Sequence, residues 1–218
     1  MTTMTIAETK MVRVLDGSHR EMVTALRISE YQRARGLQVA PAGISWNRSD
    51  DESIVLGAFD GNKLVSTMRM EIIEDQTLLE KKLECPWNFE VPLRLPVMIL
   101  SKASTHSDYR NLGLNALLRK RCLELAKEWK VHLVVGTFIK DSPRANSMKT
   151  MGYRFLENKL GWTSPHYRSL EPVVVAALDV AKDIDRAIEV TQLLIDVNLQ
   201  NYQWGGTDPE FKIVRTIS

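Results

Sequence analysis

Residues 96–118, PVMILSKASTHSDYRNLGLNALL, constrain this chain more than any other stretch. Four apolar residues (Val97, Met98, Ile99, Leu100) pass through small polar ones to Asp108-Tyr109-Arg110-Asn111-Leu112-Gly113-Leu114-Asn115, after which Ala116, Leu117 and Leu118 begin a helical period. The pattern is strand, tight loop, helix. The first amides of such a helix have no internal acceptors and carry the positive end of its dipole, which makes the loop a seat for a phosphate or pyrophosphate. Gly113 admits close approach of a ligand to the backbone, and Arg110 adds a cation beside it.

The rest of the chain alternates strand and helix signals around that stretch. Residues 10–15 read as a strand, Asp16, Gly17 and Ser18 as a turn and cap, and residues 19–35 as a helix stopped at Gly36. Met22, Val23, Leu26 and Ile28 are its expected inward face, with Arg27, Tyr31 and Arg35 a turn apart on another. Residues 37–53 read as a long loop, whose Trp46 implies that it packs on something. Asp60-Gly61-Asn62 between apolar runs 54–59 and 63–73 marks a hairpin. In its second strand, alternation puts Val65, Thr67, Arg69, Glu71 and Ile73 on one face and Leu64, Ser66, Met68, Met70 and Ile72 on the other. Arg69 and Glu71 are then neighbours, either as an exposed ion pair or as a pair facing a substrate cleft.

Pro86, Pro92 and Pro96 keep residues 74–96 irregular apart from a short helix near 78–83, and Trp87, Phe89 and Leu93 there either cover a pocket or pack in the core. Residues 131–137 read as a buried strand, and Ser142-Pro143 opens a helix that ends at Gly152. Strands at 153–156 and 173–180 follow, and then a helix at 183–198 with Ile184, Ala187, Ile188, Leu193 and Leu194 inward. One domain spanning 1–218 is expected, with about 171–218 a C-terminal strand and helix packed on it.

Composition excludes more than it selects. With 44% hydrophobic and 26% charged residues the chain has the makings of a core, and a net charge of +2 is too mild to imply nucleic acid. Between Arg94 and Lys130, eight basic residues face three acidic ones, which is either a solvated helix face or a surface for an anionic donor or acidic carrier. Cys85 and Cys122 fit neither a metal spacing nor a disulfide framework, so a reducing cytoplasm is expected. The start lacks an apolar signal core, and no apolar run reaches the length of a membrane span. His19, His106, His132 and His166 have no mutual spacing suited to a metal or a hydrolase triad, and no metal is expected.

Arg110-Asn111-Leu112-Gly113-Leu114-Asn115 resembles the acyl-donor motif of the GNAT N-acyltransferases, Q/R-x-x-G-x-G/A, with Asn115 in place of the last small residue. The resemblance implies an α/β (α+β) fold with a central mixed, mostly antiparallel twisted sheet flanked by helices, and two strands splaying apart at the donor site. Residues 146–155, NSMKTMGYRF, resemble that family's penultimate helix and turn, with Met148 where a proton-donating tyrosine is common. Arg27 before Tyr31, the hairpin with Arg69, and Ser101-Lys102 on the central strand resemble the acyl-homoserine-lactone synthases and the long-chain N-acyl amino acid synthases of the FeeM type. The lactone synthases carry Glu-x-Ser-Arg there; Ile99-Leu100-Ser101-Lys102 lacks the glutamate, which favours the amino acid synthases.

The resemblance implies transfer of a fatty acyl group from acyl carrier protein to an amino acid, with acyl-phosphopantetheine or acyl-CoA as co-substrate and no permanently bound cofactor. Such chemistry needs an amine freed of its proton, a donor for the oxyanion, and help for the leaving thiolate. Glu71, Ser101, Lys102 and Ala103 are the catalytic candidates, Glu71 as base. Ser104, Thr105 and Arg110 to Asn115 are expected to bind the donor, and Arg69, Lys102 and Arg27 the acceptor. The alternatives are a coenzyme-A-dependent N-acetyltransferase and a non-catalytic sensor that keeps only the acyl-thioester pocket.

Overall fold

The computed structural model describes residues 10–35, 41–140, 142–156, 173–198 and 202–214. In chain order the elements are β1 (Lys10–Leu15), α1 (Arg20–Arg35), α2 (Pro41–Ile44), α3 (Arg48–Asp51), β2 (Ile54–Asp60), β3 (Lys63–Ile73), α4 (Gln76–Leu83) and β4 (Val97–Thr105). Then come α5 (Leu114–Glu128), β5 (Leu133–Ile139), α6 (Pro143–Thr150), β6 (Arg154–Leu156), β7 (Val173–Asp179), α7 (Val180–Asn198), β8 (Gln203–Trp204) and β9 (Ile213–Val214). The strands form one mixed sheet ordered β6-β7-β5-β4-β3-β2-β1-β8, with β9 paired to β3. Only β4–β5, β1–β8 and β3–β9 are parallel, which gives the mostly antiparallel sheet expected.

Helix α5 and α7 cover one face, where Met68, Met70, Ile72 and Met98 pack with Leu118, Cys122, Leu125 and Ile184. Helix α1 lies on the other, with Val23 and Leu26 against Leu15, Trp46, Val55, Phe59 and Leu64. Helix α4 buries Leu79 and Leu83 against Ile73, Val97, Ile99 and Leu133. Each such fully buried side chain contributes roughly 1.5–3 kcal/mol.

Several local expectations are corrected. A bulge between Ala58 and Phe59 leaves Val65 without a partner in the β2–β3 register, so Val65 packs on the Met68 face and Leu64 on the Arg69 face, reversing the strict alternation. The buried side of α1 carries Val23, Leu26, Arg27 and Glu30, while Met22 is exposed. The segment read as a long loop folds into two single turns, α2 and α3, and Trp46 between them is buried. In α7 the inward stripe is Ile184, Ala187, Thr191 and Ile195; Leu193 and Leu194 are exposed. The C-terminal tail contributes β8 and β9 to the sheet. Gly36 lies outside the described residues.

One irregularity of the sheet positions everything that follows. Strands β4 and β5 pair only where residues 97–99 meet 133–135. Beyond that, β4 stays on β3 to Thr105 and β5 stays on β7 to Ile139, so the two parallel strands diverge and leave a cleft between them.

Candidate functional site

On the β3 side of that cleft β4 is bulged. Thr67 faces Ser104 and Arg69 faces Ser101, so Lys102 and Ala103 both stand opposite Met68, and Lys102 has a φ of 48°. The bulge breaks the alternation of side chains. Ser101 and Lys102, consecutive in sequence, both reach the α1 face, while Ala103 packs against the α5-side core.

The α1 face holds a buried charge cluster. Arg27 Nη1 donates to Asp50 Oδ1 at 2.8 Å, with both side chains fully buried. Lys102 Nζ donates to Asp50 Oδ2 at 3.2 Å and to the Ser45 carbonyl at 3.3 Å, and Arg69 Nη1 is 3.9 Å from Asp50. Arg69 Nη2 pairs with Glu71 Oε2 at 2.9 Å, and Lys82 Nζ pairs with Glu71 Oε1 at 2.6 Å. Ser101 bridges the pair: Arg69 Nε donates to its hydroxyl at 3.0 Å, and the hydroxyl donates to Glu71 at 3.4 Å. Among the described residues four cations therefore meet two carboxylates, and Arg27 Nε and Nη2 are buried without partners. Such an excess of buried positive charge is suited to a bound carboxylate.

The cluster shifts its own titrations. Burial alone would push Asp50 up, but the charges of Arg27, Arg69 and Lys102 outweigh it and hold its carboxyl below the usual value. Burial, with the Arg69 charge added, pushes Lys102 down to about 8 despite Asp50. Burial also lowers Arg27.

Asp50, Lys82 and Glu30 are the polar residues that sequence reasoning missed. Asp50 is fixed by a reciprocal cap of α3: the Asn47 side chain accepts from Ser49 N at 3.0 Å, and Asp50 Oδ2 accepts from Asn47 N at 3.1 Å. The Asn-x-x-Asp spacing was the available signal. Glu30, 3% exposed, accepts from Ser107 N at 3.2 Å and from Arg110 Nη2 at 2.8 Å, tying the loop after β4 to α1.

The expected donor loop lies at the N-terminus of α5. Gly113, with a φ of 80°, is the N-cap and offers no side-chain cap to the first amides of the helix; Asn111 also has a positive φ, 62°. Leu112 is exposed and Leu114 buried. Among the described residues Asn115 Nδ2, Ser104 Oγ and Thr67 Oγ1 are buried without partners, while Thr105 Oγ1 is 2.9 Å from Ser66 Oγ. Tyr109 donates to Asp60 at 3.0 Å, anchoring the loop to the hairpin turn. The N-terminal turn of α5 and the acceptor candidates sit on opposite faces of the sheet, while Ser104, paired opposite Thr67, shares the Arg69 face. Cys122 of α5 touches Met68 and α3 touches Arg69, and these adjacent β3 residues point to opposite faces.

The basic stretch is not an open cationic face. Arg119 is buried, Lys120 pairs with Glu124 at 2.5 Å, Arg121 with Asp208 at 2.5 Å, and Lys127 with Asp185 at 2.6 Å. His106 accepts from Asp108 N in the loop and reaches no other candidate. Among the described residues no group of His, Cys, Asp and Glu has the arrangement of a metal site, and no helix is long and apolar enough to cross a membrane.

No family model and no curated protein matches the sequence. Solved structures do match the fold. BjaI, a CoA-dependent acyl-homoserine lactone synthase bound to SAM and isopentyl-CoA, superposes with a TM-score of 0.61 at 13% identity over 92% of this chain and 95% of its own. FeeM, an N-acyl amino acid synthase from uncultured soil microbes, gives 0.55 at 13% identity over 84% and 99%. A GNAT-family acetyltransferase from Staphylococcus aureus Mu50 gives 0.53 at 14% identity over 79% and 99%. The chain has the GNAT fold.

Proposed function

We propose that the protein is an N-acyltransferase that moves a fatty acyl group from a phosphopantetheine thioester on acyl carrier protein to the α-amine of an amino acid. The observation that carries this reading is the cation-rich cluster at the β4 bulge, on the face of the cleft opposite the open N-terminus of α5. The donor phosphate rests on the amides around Gly113, and the arm runs into the divergence of β4 and β5. The thioester carbonyl comes to the bulged backbone near Ala103 to Thr105. The acceptor enters from the α1 face, its carboxylate held by Arg69 and the unpartnered nitrogens of Arg27.

The base is better assigned to Lys102 than to Glu71. Both oxygens of Glu71 are taken by Arg69 and Lys82, so it serves to orient them with Ser101. Lys102, brought down to about 8, has a neutral fraction near neutral pH that can take a proton from the attacking amine. Holding the two reactants at the cleft supplies much of the remaining acceleration.

Resemblance to the N-acyl amino acid synthases favours the carrier protein, whereas likeness to the CoA-dependent synthase BjaI favours coenzyme A. The deciding experiment offers both donors with matched acyl chains, together with amino acids and their carboxamides, and reads products by mass spectrometry. N-acyl amino acids are expected, with carboxamides poor acceptors and Arg69→Gln raising the amino acid KM far more than the amide KM. Equal use of acids and amides overturns the carboxylate site; donor binding with no product from any acceptor leaves a binding protein.

A further inference from the structure

Arg119 is a buried cation that the reaction above leaves unused. It is 3% exposed in the second turn of α5, with Nη1 3.5 Å from the Tyr153 hydroxyl and Cζ 6.0 Å from the centre of the Phe138 ring. Among the described residues no carboxylate pairs with it, and its Nε has no partner. Burial raises the pKa of Tyr153 and pushes the neighbouring Cys122 thiol up to about 12, so both stay neutral and leave the guanidinium uncompensated. A buried guanidinium without a counter-charge is expensive, and it points to an anion that arrives with the ligand.

Its position says which anion. Phe138 belongs to the diverging half of β5, past the last residue paired with β4. One turn along α5, Cys122 Sγ lies 3.9 Å from Met68 Sδ, and Met68 stands opposite the Lys102-Ala103 bulge. The guanidinium therefore lies on the α5 face beneath the diverging strands, one helical turn from the level of the bulge. Asn115, one turn before Arg119 on the same side of the helix, has a second unpartnered donor in Nδ2. On the donor side of the reacting centre the charge that develops is on sulfur.

We propose that Arg119 stabilises the thiolate that leaves when the acyl group is transferred, an inference that rests on the acyl-thioester reading above. The amine nitrogen forms its bond to the carbonyl carbon, and the C–S bond breaks with its electron pair on sulfur. The amine proton goes to neutral Lys102, and the thiolate is held by the guanidinium until water protonates it.

The test compares the wild type, Arg119→Met and Arg119→Lys on two thioesters of the same acyl chain, one of pantetheine and one of a nitrothiophenol. The nitrothiophenolate is a good leaving group without help. Arg119→Met should lower kcat on the pantetheine thioester by ~10²–10³-fold and on the aryl thioester by less than about tenfold. If Arg119→Met melts below the assay temperature, the same inequality is read from Arg119→Lys. An active wild type with equal losses on both donors, or with losses confined to KM, overturns the role of Arg119 alone. A wild type inactive on every thioester overturns the acyl-transfer reading and this inference with it.

Discussion

Replacing Asp50 by Asn removes the negative charge at the centre of the acceptor-side cluster and keeps its shape. The carboxylate accepts from Arg27 at 2.8 Å and Lys102 at 3.2 Å, with Arg69 at 3.9 Å, and its side chain is fully buried. Removing one partner of a buried pair typically costs about 3–5 kcal/mol, and because Asn keeps an acceptor oxygen we expect about 3 kcal/mol. At about 2–4 °C per kcal/mol for a domain of this size, Tm should fall by about 6–12 °C at pH 7. The loss depends on pH with a definite sign. Asp50 is one of the charges that raise the Lys102 pKa, so Asp50→Asn lowers it further below about 8. The penalty is then largest where Lys102 is charged and shrinks as pH rises past that value. Thermal melts of both proteins at pH 7 and 9.5 give the answer. A fall of less than about 2 °C at pH 7, or a gap that widens with pH, refutes a cluster held together by this carboxylate.

Two further outcomes follow from the same geometry. Gly113→Ala, at a φ of 80°, should destabilise the protein by about 1–2 kcal/mol through backbone strain and raise the donor Kd, read by calorimetry with a non-hydrolysable thioester analogue; unchanged donor affinity in the folded variant removes the loop from the site. Stability should rise from pH 8 to 9, because Lys102 titrates at about 8 folded and near its ordinary 10.5 unfolded, so the unfolded chain binds more protons there. Above pH 9 it should fall, because Cys85 and Cys122, pushed up to about 11 and about 12, stay protonated while the unfolded thiols ionise. Urea unfolding at half-unit steps checks both limbs; Lys102→Met should flatten the rise, and Cys85→Ala with Cys122→Ala the fall.

The legible parts of this molecule are those whose signals are local in sequence. The Gly113 loop is contiguous with the strand and helix it joins, so its place followed from apolar period and a glycine. Arg69 and Glu71 are two apart on one strand, and strand period alone made them neighbours. Asp50 was hidden because its partners Arg27 and Lys102 are 23 and 52 residues away in sequence, and Lys102 reaches it across a bulge that nothing at residues 101–103 announces. Arg119 was read with the basic residues around it as part of a surface. It packs under Phe138 of β5 and Tyr153 just before β6, which are distant from α5 in sequence. In α7, Leu193 and Leu194 are apolar but lie off the 184, 187, 191, 195 stripe that meets the core.

Helix α1 joins the two halves of the site through residues one turn apart on its buried side. Arg27 points to Asp50 in the acceptor cluster, and Glu30 to Ser107 and Arg110 at the entrance of the donor loop. Glu30 also pairs with Arg110 at 2.8 Å, so this arginine helps to fix the loop whose first α5 amides receive the phosphate in the proposed reaction. Since Arg27 and Glu30 share one rigid turn, a displacement of α1 that loosens the acceptor cluster also moves the donor loop. In the proposed reaction both reactants are thereby referenced to α1, with the Tyr109–Asp60 contact as a second anchor of the donor loop.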